Sequence, residues 1–199
     1  MPKRVDHEQR KSAILNAALD VFAREGYKDT TLSLIAEEAG IPRTVVYQYY
    51  HDKNEVLYSV VKTETMKIFV SLSELAFGEE GGSEPERLTR IFDSILDSVM
   101  ENKESLSNLL IVMVDATRSG SDTAAVVKKR TAKLMILIKR LLVKGMNTGT
   151  FKEGLDVNKA SETFFSMAEL VCFSVAVFGG IDKEEELGKF NTYMETIKA

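Results

Sequence analysis

The stretch from Thr30 to Lys53, TTLSLIAEEAGIPRTVVYQYYHDK, limits what this chain can fold into more than any other. It predicts two short amphipathic helices joined by a glycine turn. The first covers about 32–39, with Thr31 as its N-cap and Leu34, Ile35 and Ala39 on one face. Gly40 suits the positive φ that ends a helix, and Ile41 plugs the turn. Pro42 fits the first turn of the second helix, which runs to about Tyr50. Val46 and Tyr50, four apart, point inward. Arg43, Thr44, Val45, Tyr47, Gln48 and Tyr49 are then left largely outward.

A short exposed helix bearing Arg, Thr, Gln and two Tyr fits recognition of the DNA major groove. Arg bonds guanine O6 and N7, Gln bonds adenine, and Thr or Val touches the thymine methyl. Tyr hydroxyls reach phosphates. Three matching stretches between Ile14 and Leu57 extend the signal: ILNAALDVFAREGY, TTLSLIAEEAGI and VYQYYHDKNEVL. With these, the segment resembles the DNA-binding domain of the TetR family of bacterial transcriptional regulators. The resemblance covers about a quarter of the chain; the remainder agrees only in length and helical character. Pro42 stands where the family often has Ser, and Thr44 where it often has Gly.

The resemblance implies an all-α chain of about nine helices. A three-helix helix-turn-helix domain (1–53) reads a double-stranded DNA operator, and a larger helical domain (54–199) binds ligand and dimerises. It also implies backbone contacts from Lys53. Thr31, as an N-cap with free N–H groups nearby, can hold a phosphate as well. The residues expected on DNA are therefore Thr31, Arg43, Thr44, Val45, Tyr47, Gln48, Tyr49 and Lys53. Lys3 and Arg4 offer a further reach to phosphate or minor groove; a solvated tail is the competing reading.

The net charge of −4 looks wrong for a DNA binder until it is divided. Residues 1–53 carry eight basic and eight acidic groups. Of the chain's 26 basic and 30 acidic groups, 18 and 22 therefore fall in 54–199, which holds all the excess acid. A neutral head binds DNA modestly unless a dimer doubles its contacts, and the binding is salt-sensitive.

The first helix spans about 8–25, with Ile14, Ala18, Val21 and Phe22 as its stripe and Gly26 ending it. Asp52 caps a fourth helix reaching about Phe77. GEEGGS at 78–83 breaks the chain. Ser83 and Glu86 then form a capping box for a helix over about 84–100. Further helices follow at about 103–118, 123–146, 157–178 and 183–197. The 103–118 helix is apolar on nearly every side, which predicts a central place. From Phe164 to Phe178 only Ser166, Glu169 and Ser174 are polar. Such a helix needs cover all round, and a homodimer pairing helices 8 and 9 in a four-helix bundle supplies it.

The second domain is rich in Met and Phe, which adapt to irregular apolar shapes. The family's effector pocket is expected among Met66, Phe69, Met100, Leu110 and Met113, with Met135, Phe165, Met167, Glu169 and Phe173 completing it. Residue by residue, simple core packing competes with that reading. No Arg or Lys cluster interleaves these positions, so the expected small-molecule effector is neutral, weakly polar or tailed with an apolar chain. Glu169 and Asp115 offer orientation of a cationic group, against a bland reading as satisfied acids. The basic run Lys128, Lys129, Arg130 and Lys133 reads as a solvated face.

Cys172 is the single cysteine, so no internal disulfide forms, in keeping with a reducing cytoplasm. The N-terminus lacks the apolar run of a secretion signal, and the apolar 164–178 run is too short to span a bilayer, so no membrane role is expected. His7 and His51 are the only histidines. No zinc-peptidase, CxxC, Walker, GxSxG or dinucleotide motif appears, so neither enzyme, metal nor cofactor is expected. The expectation is a ligand-responsive regulator, a repressor released from a palindromic operator. The alternative is a DNA-binding regulator or architectural protein whose C-terminal core is filled and ligand-free.

Overall fold

A computed structural model describes the backbone of residues 7–78, 81–121 and 123–199. Side chains at 64, 65, 67–69, 123, 124, 126, 127 and 130 lie outside the description. The readings of Lys3, Arg4, the Arg130 side chain and the Phe69 side chain therefore fall outside the described residues. Among those described, regular structure is helical: α1 (His7–Asp29), α2 (Leu32–Glu38), α3 (Arg43–Tyr49), α4 (Lys53–Phe77), α5 (Glu84–Glu101), α6 (Lys103–Arg118), α7 (Thr123–Thr148), α8 (Val157–Phe178) and α9 (Lys183–Ile197). One isolated antiparallel bridge joins Phe151 to Lys198.

Local capping chemistry sets most boundaries. Thr31 Oγ1 accepts the Leu34 N–H at 3.2 Å, and Asp52 Oδ1 accepts the Glu55 N–H at 2.9 Å. Glu86 accepts the Ser83 N–H at 2.8 Å ahead of α5. Asp156 accepts from Asn158 and Lys159, and Asp182 from Glu185. Pro42 differs from expectation: it is the N-cap of α3, with φ −53° and ψ 134°, rather than a first-turn residue. Its carbonyl still accepts from Val45 and Val46, so its missing N–H costs nothing.

Gly26 interrupts α1 with φ 74° and ψ 167°, a region that side chains with a Cβ rarely adopt. A Cβ there would meet only Asp115 Oδ2 at 3.5 Å, so the penalty is backbone strain rather than a clash. Gly26→Ala is expected to lower unfolding free energy by about 1–3 kcal/mol, read from urea denaturation. An unchanged midpoint would show that the turn relaxes freely.

Packing divides the chain into two units, which are not consecutive stretches. The first holds residues 1–65 and 108–128; the second holds 66–107 and 129–199. Residue 53, the expected domain boundary, marks the start of α4 rather than the edge of the first unit. In the first unit Ile14, Val21 and Phe22 of α1 pack with Ile35, Val46, Val56 and Leu57, and with Val112 and Ala116 of α6. In the second, Phe92 stacks on Phe190 at 4.2 Å, and Phe164 meets both rings edge-on. Arg87, nearly buried, donates to the carbonyls of Leu75, Ala76 and Gly78 and so closes the end of α4.

Two helices are less covered than their composition predicts. α6 buries Val112 and Ala116 but exposes Ile111 and Val114. On α8, Leu170, Phe173, Val177 and Phe178 are exposed at 61, 53, 56 and 76%. α8 also begins well before its apolar run. At 22 residues it is long and apolar enough to cross a membrane by length and composition alone, a test that the core helix of a soluble protein also passes.

Candidate nucleic-acid interface

The reading surface is built on one anchor. Val46 is fully buried in the first unit's core and fixes the rotation of α3. Helical spacing then turns Arg43, Thr44, Tyr47 and Gln48 outward, and all four are exposed. An Arg43 guanidinium N–H donates to the Tyr47 hydroxyl oxygen at 3.2 Å, with the guanidinium carbon 5.3 Å from the Tyr47 ring centroid. This i, i+4 pair holds two long side chains side by side. The Tyr47 O–H remains a donor for a phosphate, and Arg43 keeps four further N–H groups. Thr31 is exposed at the start of α2 with its hydroxyl turned to the helix it caps.

Three expected residues sit differently. Val45 and Tyr49 are half-buried. Tyr49 packs against the core, and its hydroxyl pairs with His7 Nδ1 at 2.8 Å. Lys53 is half-buried as well, and its ammonium donates to Tyr27 O at 2.7 Å, Lys28 O at 2.6 Å and Thr30 O at 3.2 Å. Neither the His7 nor the carbonyl partners leave a signal in local sequence spacing. Near these residues a cleft of about 770 Å³ is lined by Gln48, Tyr49, Tyr58, Lys11 and the Ser119–Ser121 turn.

The residues expected around an effector divide between the two units. Met113 packs with the first unit's core. Met100, Met135 and Met167 pack on the second core, which includes Phe165. Leu110 is half-buried, in the first unit. Met66 is exposed, and Glu169 and Phe173 lie on the bare side of α8. Burial, with the neighbouring Glu169 charge, pushes the Cys172 thiol up to about 11, so it stays protonated and unreactive at neutral pH. Among the described residues no group of three or more His, Cys, Asp or Glu is placed to hold a metal ion.

Residues 14–60 match the family described as bacterial regulatory proteins, tetR family. The fatty acid metabolism regulator protein of Bacillus subtilis (strain 168) is 26% identical over 152 residues, 76% of each chain. The crystal structure of the regulator FadR from Bacillus subtilis, in complex with stearoyl-CoA, superposes with a TM-score of 0.75 at 20% identity, over 92% of this chain and 95% of that one. A TetR transcription regulator from Haloarcula marismortui gives 0.81 at 18% identity, over 96% and 100%.

Proposed function

We propose, from the premise that this chain belongs to the TetR family of bacterial regulatory proteins, that it is a cytoplasmic repressor. A homodimer holds a near-palindromic operator and is released by an effector with an apolar tail, of the long-chain acyl-thioester class. The observation carrying the DNA half is the exposed Arg43–Tyr47 pair beside Thr44 and Gln48 over a buried Val46. That set offers guanine and adenine donors together with a thymine-methyl contact. The bare row of α8 supports the dimer, whose two α3 helices would lie about 34 Å apart or a multiple of it. The effector class is supported by the relative crystallised with stearoyl-CoA. Linkage then requires DNA and effector to weaken each other by one factor, about 5- to 150-fold for 1–3 kcal/mol.

One observation favours the second reading, a regulator without ligand. Met100, Met135, Phe165 and Met167 all belong to or pack on the second unit's core, as filler would. Titrating stearoyl-CoA against the protein bound to a fragment from upstream of its own gene separates the two. Release with the above factor supports the effector reading. Binding that ignores stearoyl-CoA and shorter acyl-CoAs leaves the ligand-free regulator. No binding to any upstream fragment removes the repressor proposal.

A further inference from the structure

Tyr27 and Lys28, between the Gly26 break and the Thr31 cap, are held from two sides by opposite charges. From α6, Asp115 Oδ2 accepts the Tyr27 N–H at 2.8 Å and the Lys28 N–H at a longer 3.4 Å. From α4, the Lys53 ammonium takes the carbonyls of the same two residues and that of Thr30, and lies 4.7 Å from the Tyr27 ring centroid. The Tyr27 hydroxyl donates to Asn54 Oδ1, and its ring is buried against Phe22. An ammonium has three donors, and here three carbonyls take them. Each gripped residue thus has its N–H on a carboxylate and its C=O on a cation, so the two bonds polarise one another.

We infer that Lys53 and Asp115 are a matched pair of positioning residues for DNA reading. They fix the connector that sets where Thr31 starts α2, and α2 with Gly40 in turn sets α3. Lys53 acts through the connector and not through a DNA phosphate, and Asp115 acts on DNA affinity although it carries the wrong charge to touch DNA. The connector is 88 residues from Asp115 in sequence, so α6 steadies the reading head without contributing to its surface.

This inference rests on the DNA-binding reading, and the full-length protein tests both separately. Hydrogen exchange of the 26–32 segment, without DNA, reports the grip itself. Faster exchange is expected in Lys53→Met and in Asp115→Asn, and unchanged exchange in both overturns the grip. Affinity for the upstream fragment is then measured over a salt series. Asp115→Asn removes a negative charge, which on electrostatics alone would tighten binding. The grip predicts about tenfold weaker binding instead. Lys53→Met is expected to bind about tenfold more weakly at every salt concentration, with the wild-type slope of log K against log salt. The double variant should lose about as much as either single, because both release one connector. A slope shallower by about 0.9 per Lys53 would assign that residue to phosphate and overturn the inference. Multiplying losses, or an Asp115→Asn protein that binds as tightly as wild type, would do the same. Should Lys53→Met fail to fold by circular dichroism, Asp115→Asn decides alone. A wild type that binds no fragment counts against the DNA reading, while exchange still decides the grip.

Discussion

Arg43→Ala is expected to weaken operator binding by about 2–6 kcal/mol, since each half-site loses about 1–3 kcal/mol of base discrimination. That range is about 30-fold to more than 10⁴-fold in affinity. Arg43 is exposed, so its loss leaves the first unit's core untouched, and thermal stability should hold within about 0.5 kcal/mol. The loss should fall unevenly on operator variants. If Arg43 reads a guanine, substituting that base in wild-type operator and removing Arg43 are not additive. Tyr47→Ala tests the same pair from the other side. It removes the acceptor and ring that hold Arg43 at 3.2 Å, together with a hydroxyl for phosphate. Operator binding should be lost while the dimer persists. Normal operator protection by either variant would show that α3 is not the reading helix.

Much of the helix-turn-helix was legible because its determinants are local. A Thr or Asp caps the N–H two or three residues ahead, and Gly40, at φ 62°, fits the turn for want of a Cβ. Val46 was legible as an anchor because an amphipathic period needs only its own helix. The contacts that escape a sequence window share a cause. The partners of Lys53 lie 23 to 26 residues away, and the partner of Asp115 lies 88 away, so no spacing rule reaches them. The same holds for helices apolar on every side. The sequence of α6 does not say that Val112 and Ala116 are covered while Ile111 and Val114 are not. An acid within an apolar run invites a place in a pocket, yet Glu169 lies on the bare side of α8. Rotation about a helix axis is fixed by neighbours, and neighbours far along the chain are invisible in a window.

The bare face of α8 leads to the second large effect. Phe173→Glu is expected to raise the dimer dissociation constant by at least about 10³-fold, some 4 kcal/mol. In a two-fold interface each substitution is felt twice. Each copy loses about 1.5–3 kcal/mol of apolar burial and gains a carboxylate that must be desolvated. Phe173 is already 53% exposed in the single chain, so helicity and monomer stability should scarcely change. Sedimentation at micromolar concentration would show monomer, and operator binding would fall with it, because one neutral head makes half the contacts. Other exposed apolar residues compete less well for this role. On α7, Ile136 and Val143 share their groove with Lys139, Arg140 and Lys144, and a two-fold pairing there would set cation against cation. On α8, Leu170, Phe173, Val177 and Phe178 follow i, i+3, i+7 and i+8 along about two turns, with Glu169 the one acid beside them. A Phe173→Glu protein that sediments as the wild type does would move the interface off α8 and leave its apolar row to be covered by something other than a second copy.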